Sequence, residues 1–233
     1  YERAKTKLLP HIFTINIAHL IMLTEQGIIT VENARKIMEV MLNIDYDAYR
    51  NSYYSGKFED LYFQMEDEII RKTEGIGGNL HLARSRNDMC VAWVRMAIRE
   101  DLLSIIRHLI ELQNTVALFA KEHQETLYVV HSHTQHAQPG LLGHYFLGVV
   151  SVLDRNIERF QDAYSAVNLS PMGAAAVTTT GFPISRRRVA ELAGFDGVIE
   201  NSYDAIGNCD HFTRTASAVS LCAIDLSRIT NDL

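Results

Sequence analysis

Two short polar segments stand out in a chain whose apolar residues otherwise follow a helical period. The first, Leu80 to Asp88, reads Leu-His-Leu-Ala-Arg-Ser-Arg-Asn-Asp, and the second, His131 to Pro139, reads His-Ser-His-Thr-Gln-His-Ala-Gln-Pro. Both are rich in hydrogen-bond donors and lie beside long helical patterns. Donors held by rigid elements can bind an anion and stabilise negative charge that develops during a reaction. We therefore expect these segments to form an active site.

In the first segment, Ser85, Arg86 and Asn87 lie where a long helix is predicted to begin. The unpaired backbone N–H groups of a helix start, together with a hydroxyl and an amide, can face one anion, and a carboxylate would fit. The alternative is a structural role, in which Ser85 or Asn87 caps the helix and Arg86 pairs with Asp88 at the surface. The motif alone leaves both interpretations open.

The second segment contains three histidines, His131, His133 and His136. Imidazole is a common zinc ligand, but no cysteine or glutamate stands at a confirming spacing such as His-Glu-x-x-His. Proton transfer or substrate hydrogen bonding is the favoured role, because histidine titrates near neutral pH. We expect His131 and His136 to be ordinary loop histidines, and we expect no metal.

A third segment, residues 170–183, is rich in glycine, alanine and threonine. Small residues allow the backbone to approach a ligand closely, although the segment can equally be a turn between helices. A separate glycine cluster, Gly75, Gly77 and Gly78, lacks the lysine and the strand-to-helix context of a phosphate-binding loop. We therefore expect no nucleotide and no other cofactor.

Breaks in the apolar pattern define the elements that must position these segments. Thirteen glycines and four prolines interrupt the chain, and they cluster. The pattern predicts an all-α fold with a small N-terminal helical domain over residues 1–83 and a central bundle of long helices over residues 84–233. The predicted helices cover residues 10–26, residues 30–42 with Thr30 as the N-cap, residues 59–73, residues 85–123, a stretch from Pro139 past Phe160, and residues 212–233.

The composition excludes several classes of protein. The formal net charge of the 233 residues is −6, without a basic run, so nucleic acid is not an expected partner. No apolar run approaches the ~20 residues of a membrane span, and residues 1–7 do not resemble a signal peptide. The widely spaced Cys90, Cys209 and Cys222 fit reduced thiols. We expect a globular, cytoplasmic protein without a membrane partner.

Four motifs, in order and at compatible spacing, resemble argininosuccinate lyase, a family of the fumarase and aspartase superfamily. They are residues 80–88, Gln135-x-Ala137-Gln138-Pro139 after His133, Ser170-Pro171-Met172-Gly173, and Asn201-Ser202-x-Asp204 with Asp210. The resemblance covers nearly the whole chain. It implies a homotetramer whose long helices form a twenty-helix core and whose active sites are shared between subunits. Such an assembly would cover apolar stripes that three long helices cannot bury against one another.

The resemblance also implies the chemistry. A base removes a proton from the carbon beside a carboxylate, an enolate-like dianion forms, and the carbon–nitrogen bond breaks to release fumarate. The expected partner is therefore a small anionic molecule, an N-substituted aspartate such as argininosuccinate, which would yield arginine. Preorganised donors stabilise the developing charge, and the loss of one donor typically costs about 3 kcal/mol.

Site residues are implied where the motifs match. The Ser-Arg-Asn of residues 85–87 resembles the family's contact to the substrate carboxylate. Ser132 stands where the family usually has threonine, His133 matches the histidine assigned to proton transfer or to orienting the leaving group, and Gln135 is assigned to substrate binding. The general base of the family, a serine in a Gly-Ser-Ser-x-Met-Pro loop, lies outside this sequence, as does a short N-terminal arm. We expect a segment of a longer enzyme that does not catalyse alone.

Several positions depart from the family pattern. Leu82 and Ala83 replace Thr-Gly, Tyr62 replaces a histidine, His131 replaces a tyrosine, and Cys209 replaces an arginine. A divergent branch that acts on another N-substituted aspartate, as ethylenediamine disuccinate lyase does, is therefore an alternative. A second alternative is a structural homologue of the lens crystallin kind, which the sequence of the missing serine loop would distinguish.

Overall fold

The computed structural model describes residues 1–233, except for the side chain of residue 3. The fold is mostly helical, which confirms the expected class. Among the described residues, no helix is both long enough and apolar enough to cross a membrane. The helices are α1 (Glu2–Lys7), α2 (Leu9–Glu25), α3 (Val31–Leu42), α4 (Tyr46–Asn51), α5 (Leu61–Lys72), the 3-10 helix η1 (Ile76–His81), α6 (Arg86–Glu122), α7 (Leu142–Val167), α8 (Arg186–Leu192), α9 (Ser202–Gly207) and α10 (Asp210–Asp232). The strands are β1 (Leu127–Ser132), β2 (Gln135–Leu141), β3 (Leu169–Ser170) and β4 (Gly197–Val198).

The chain divides into two compact units, each of which contains two stretches of sequence. The first comprises Tyr1–Ile98 and Asn168–Asn208, and the second comprises Arg99–Val167 and Cys209–Leu233. Helix α6 begins in the first unit and continues into the second. The first and third polar segments belong to the first unit, and the histidine segment belongs to the second. A domain boundary at residue 83 stays a prediction.

The first unit is built around α2, whose apolar side chains are almost completely buried. Helices α1, α3 and α8 and the 3-10 helix pack against it, and α5 packs against α3 and the 3-10 helix. The N-terminal helices predicted from the sequence are observed as α2, α3 and α5 with ends shifted by one or two residues. Thr30 caps α3 as predicted, because its hydroxyl accepts a hydrogen bond from the backbone N–H of Asn33 at 3.2 Å.

The second unit contains an antiparallel hairpin of β1 and β2 that the sequence did not predict. Pro139 was expected in the first turn of a helix, but it pairs with Val129 inside β2, and α7 begins at Leu142. The hairpin turns at His133 and Thr134, whose φ values of +50° and +62° fit a two-residue type I′ turn. Proline is tolerated there because the two-stranded ribbon has only edge strands.

A polar cluster joins α7 to α10 within the second unit. The buried Asn156 donates a hydrogen bond through Nδ2 to the Asp225 carboxylate at 2.9 Å and accepts one at Oδ1 from Arg159 at 2.8 Å. Pairing of these groups is specific to one alignment of the two helices, since a shifted alignment would leave a buried amide unsatisfied. The cluster therefore fixes the register of α7 against α10.

The apolar stripes predicted on the long helices are covered only in part. Trp93 and Met96, near the start of α6, are buried, but Leu103 is 50% exposed. On the other two long helices of the second unit, Leu147 is 54% exposed and Val219 is 44% exposed. The uncovered side chains lie on all three long helices.

Gly143, in the first turn of α7, is predicted to tolerate no side chain. A Cβ at this position would lie 2.5 Å from the carbonyl oxygen of Ala120 and 2.8 Å from the Cα of Gln124, and both atoms belong to the backbone. Gly143→Ala should lower the free energy of unfolding by about 1–3 kcal/mol, because the start of α7 must move away from the end of α6. Denaturant unfolding followed by circular dichroism measures the change.

Gly148→Ala is the matched control on the same helix. A Cβ at Gly148 would meet nothing within 4 Å, so alanine should stabilise the helix by roughly 0.5–1 kcal/mol. Equal effects of the two substitutions would contradict the close approach at Gly143.

Candidate active site

The first polar segment lies at the start of α6. The Ser85 hydroxyl accepts a hydrogen bond from the backbone N–H of Asn87 at 3.2 Å, and the Asn87 amide donates to the carbonyl oxygen of Ala176 at 3.0 Å. Arg86 forms an ion pair with Asp60, the N-cap of α5, and not the surface pair with Asp88 considered above. Helix capping and a donor cluster at the helix start are therefore both present.

Asp88 joins this segment to the third polar segment. Its carboxylate is fully buried and accepts three backbone hydrogen bonds, from Ser85 at 3.0 Å, Gly173 at 3.1 Å and Ala175 at 2.9 Å. Burial raises the pKa of the Asp88 carboxyl above its ordinary value, although the three N–H donors and Arg84 favour the charged form. One carboxylate therefore fixes the start of α6 and the turn after β3 together.

The turn after β3 is held from its other side by Arg186. The guanidinium donates from Nε to the carbonyl oxygen of Met172 at 3.1 Å and from Nη2 to that of Ile199 at 2.7 Å. Gly173 has a φ of +83°, and a Cβ there would lie 2.5 Å from Cγ of Arg186, so only glycine fits. Residues 170–174 are buried and form a fixed support, whereas the exposed side chains of the segment begin after Ala174.

Arg86 is surrounded by aromatic rings. The centre of its guanidinium lies 4.8 Å from the ring centroid of Trp93, 5.5 Å from that of Tyr62 and 5.9 Å from that of Phe63. Together with the Asp60 ion pair, these cation–π contacts hold the side chain in one place. About a third of the Arg86 side chain stays exposed, so the charge remains accessible to an anion.

The residues that precede Ser85 are partly or fully buried, and one of them has a strained backbone. Ala83 has a φ of +61°, a left-handed conformation that costs about 1–2 kcal/mol for a residue with a Cβ. The carbonyl oxygen of Leu82 accepts a hydrogen bond from Nε2 of His19 at 2.8 Å. Burial and the nearby Arg84 lower the pKa of His19 to about 3, so the imidazole is neutral at pH 7. Surrounding groups therefore hold this backbone in a conformation that alanine does not favour.

The second polar segment forms the exposed tip of the hairpin in the second unit. Ser132 pairs with Gln135 across the two-residue turn that contains His133. The register shifts between Val130 and His131, which leaves one extra residue on β2 and twists the tip. The three predicted site residues of this segment lie next to one another and expose their side chains.

The expectation that His131 and His136 are loop histidines is wrong, because they lie opposite each other in β1 and β2, with ring centroids 4.9 Å apart. Within the described part of the chain, no group of three or more histidine, cysteine, aspartate or glutamate side chains is placed to hold a metal ion.

The structure brings residues 85–87 together in the first unit and Ser132, His133 and Gln135 together in the second. Sequence reasoning missed the supporting roles of Asp88, Arg186 and Tyr62. The left-handed Gly173 was part of a recognised motif, but no local signal connects Asp88 with a partner 85 residues later.

Comparisons with known proteins place this geometry in a family. The family model described as Lyase matches residues 24–233. The chain belongs to this lyase family. It is 40% identical over 220 residues to the argininosuccinate lyase of Methanosarcina mazei, and 41% identical over 219 residues to that of Methanocaldococcus jannaschii, in both cases over 94% of its length. The sequence resemblance to argininosuccinate lyase is thereby confirmed.

A solved structure supports the fold of this lyase family member. An EDDS lyase variant with bound fumarate superimposes with a TM-score of 0.91 at 34% identity, over 98% of this chain and 45% of that one. The chain covers 44% and 45% of the two argininosuccinate lyases. It therefore spans about half the length of the proteins it matches.

Asp88→Asn should destabilise the first unit. The amide replaces one acceptor oxygen by an NH2 group that faces backbone donors, and unsatisfied buried donors cost about 1–3 kcal/mol. Because the pKa of Asp88 is raised, its contribution to stability is greatest below the ordinary carboxyl pKa and declines as the pH rises through the raised value. Denaturant unfolding as a function of pH should show a lower stability and the loss of this pH dependence.

Asp47→Asn is the control, because the Asp47 side chain is 82% exposed and pairs with Arg50 on the surface of α4. Its effect should stay within about 0.5 kcal/mol. A similar small effect for Asp88→Asn would show that the buried carboxylate does not hold the turn.

Proposed function

We propose that the complete protein is a carbon–nitrogen lyase of the argininosuccinate lyase type, which eliminates fumarate from argininosuccinate and releases arginine. The observation that carries the proposal is the Ser-Arg-Asn segment, fixed at the start of α6 by the buried Asp88, in a chain that is about 40% identical to argininosuccinate lyases. The relatives are named argininosuccinate lyases, and because the proposed reaction releases arginine, a role in arginine biosynthesis is part of the proposal.

In this proposal, residues 85–87 bind a substrate carboxylate. Arg86 supplies a positive charge that its aromatic surroundings hold in place, and Ser85 and Asn87 supply a hydroxyl and an amide. The start of α6 adds the positive end of a helix dipole. Such fixed donors favour a reaction in which negative charge accumulates on the bound carboxylate.

The hairpin tip supplies the second group of residues. His133 transfers a proton or orients the leaving amine, Ser132 offers a hydroxyl, and Gln135 binds substrate. All three side chains are exposed, which supports the proposal, because a ligand from outside the hairpin can contact them. The left-handed φ at His133 fits the strained backbone that often occurs at functional sites.

We also propose a homotetramer in the cytoplasm, with active sites shared between subunits. The exposed apolar side chains of α6, α7 and α10 support the assembly, since a monomer rarely exposes such stripes. The three cysteines are free thiols, which fits a reducing compartment.

Another N-substituted aspartate is a second candidate substrate. The observation that favours it is the 34% identity and the TM-score of 0.91 to the EDDS lyase variant with bound fumarate. The two candidates share the elimination of fumarate and differ only in the amine that leaves.

Fumarate release from the complete protein tests the proposal. The protein is offered argininosuccinate and then a panel of N-substituted aspartates, and fumarate is followed by its ultraviolet absorbance. Release from argininosuccinate supports the first candidate, and release only from another aspartate supports the second. No release from the whole panel would contradict a lyase activity and favour a structural protein.

His133→Asn should reduce kcat about 100-fold or more in the complete protein, because general acid–base groups typically contribute that much. Asparagine tolerates the left-handed φ at this position, so the substitution removes the imidazole without breaking the turn. Steady-state kinetics measures the loss, and size-exclusion chromatography should show an unchanged oligomer.

His136→Asn is the matched control in the same hairpin and should leave kcat within a few fold of the unaltered protein. An unchanged kcat for His133→Asn would remove His133 from the mechanism. An equal loss in both variants would indicate that the hairpin, and not the imidazole of His133, had been damaged.

A further inference from the structure

Arg84 carries a buried positive charge next to the proposed carboxylate-binding residues. It is 7% exposed, and its two hydrogen bonds go to neutral oxygens, Oδ1 of Asn16 at 2.8 Å and the Tyr62 hydroxyl at 3.1 Å. Its Nε atom finds no hydrogen-bond partner among the described residues. A buried guanidinium is costly unless a negative charge compensates it. Asp88 contributes to this compensation, and a hydrogen-bonded path leads to a second carboxylate.

That path runs through Tyr62. The hydroxyl that accepts from Arg84 donates to Oε1 of Glu66 at 2.8 Å, so it connects the cation to a carboxylate. Nδ1 of His81 lies 2.8 Å from the same carboxylate oxygen and 3.2 Å from the Tyr62 hydroxyl. Burial raises the pKa of Tyr62, so the hydroxyl keeps the proton that it donates.

Glu66 is charged in this arrangement. Burial opposes its ionisation, but hydrogen bonds from His81 and Tyr62 outweigh that effect and leave the pKa of Glu66 below its ordinary value. The titratable and charged groups that face the Tyr62 hydroxyl and ring are therefore Glu66, His81, Arg84 and Arg86.

The Tyr62 ring acts on the same segment. It is 2% exposed, packs on Trp93 with centroids 5.3 Å apart, and lies 5.9 Å from the guanidinium of Arg84 and 5.5 Å from that of Arg86. These arginines flank Ser85 in the sequence. One side chain thus contacts both neighbours of a proposed substrate-binding serine.

We infer that Tyr62 is a positioning residue, which connects Glu66 to Arg84 and holds Arg84, Ser85 and Arg86 in the geometry that binds the substrate carboxylate. The inference rests on the proposed function. It explains how the segment keeps the left-handed backbone of Ala83, since the buried Arg84 on one side and the His19 contact to Leu82 on the other prevent its relaxation.

Tyr62→Phe in the complete protein tests this role, because it removes the hydroxyl and keeps the ring. Hydrogen bonds to charged groups are strong enough that KM for the fumarate-releasing substrate should rise roughly tenfold. The inhibition constant of added fumarate should rise equally, and because these donors bind the carboxylate in the ground state as well as in the transition state, kcat should change less than KM. Kinetics are measured well below the unfolding temperature of each variant.

Tyr49→Phe is the matched control. Tyr49 belongs to α4 and is 4% exposed. Its hydroxyl donates to Glu68, which lies on α5 as Glu66 does, and not to residues 81–88. A general loss of stability from a missing tyrosine–glutamate hydrogen bond should therefore affect both variants, but only Tyr62→Phe should change KM and the fumarate inhibition constant. Equal effects on KM in the two variants would overturn the inference.

Glu66→Gln keeps the test decisive if Tyr62→Phe does not fold. It leaves the hydroxyl in place but removes the negative charge at the end of the path, so KM should again rise with little change in kcat. An unchanged KM would contradict the proposed role of the hydrogen bonds that connect Arg84, Tyr62 and Glu66. An unaltered protein that neither releases nor binds fumarate would overturn the proposed function, and the Tyr62 inference with it. Fumarate release with equal KM values in all variants would overturn the inference alone.

Discussion

The buried carboxylate of Asp88 is the interaction on which the first unit depends. Three backbone N–H groups, from Ser85, Gly173 and Ala175, point at one side chain that has no contact with water. Burying a charge is expensive, and the cost is offset only while all three donors stay in place. The start of α6 and the turn after β3 therefore hold their geometry together or lose it together.

The two positive charges near Asp88, those of Arg84 and Arg86, are also held by the groups around them. Arg84 is compensated through the Tyr62 hydroxyl, and Arg86 is held by three rings and Asp60 with part of its side chain exposed. Neither guanidinium is enclosed by several carboxylates. A segment with two fixed cations, one of which is partly exposed, suits an anionic ligand, because the ligand can approach Arg86 without rearranging the protein.

Much of the fold could be predicted from the sequence because its signals are local. Thr30 caps a helix within three residues, and the long helices show their period over many turns. The hairpin was missed because its turn consists of histidine and threonine instead of the usual Asn-Gly, and because Pro139 resembles a helix start. The Ser-Arg-Asn motif identified the candidate site, but the contacts that hold it connect residues far apart in sequence, which no local pattern reveals.

The separation between Asp88 and its partners also matters while the chain is being made. The acceptor is synthesised 85 residues before Gly173, and translation at about 5–20 residues per second separates them by roughly 4–17 s. During that interval the carboxylate has only its local donor and must remain hydrated. The nascent chain can form its early helices at once, but the Ser-Arg-Asn segment acquires its final geometry only after the turn has left the ribosome.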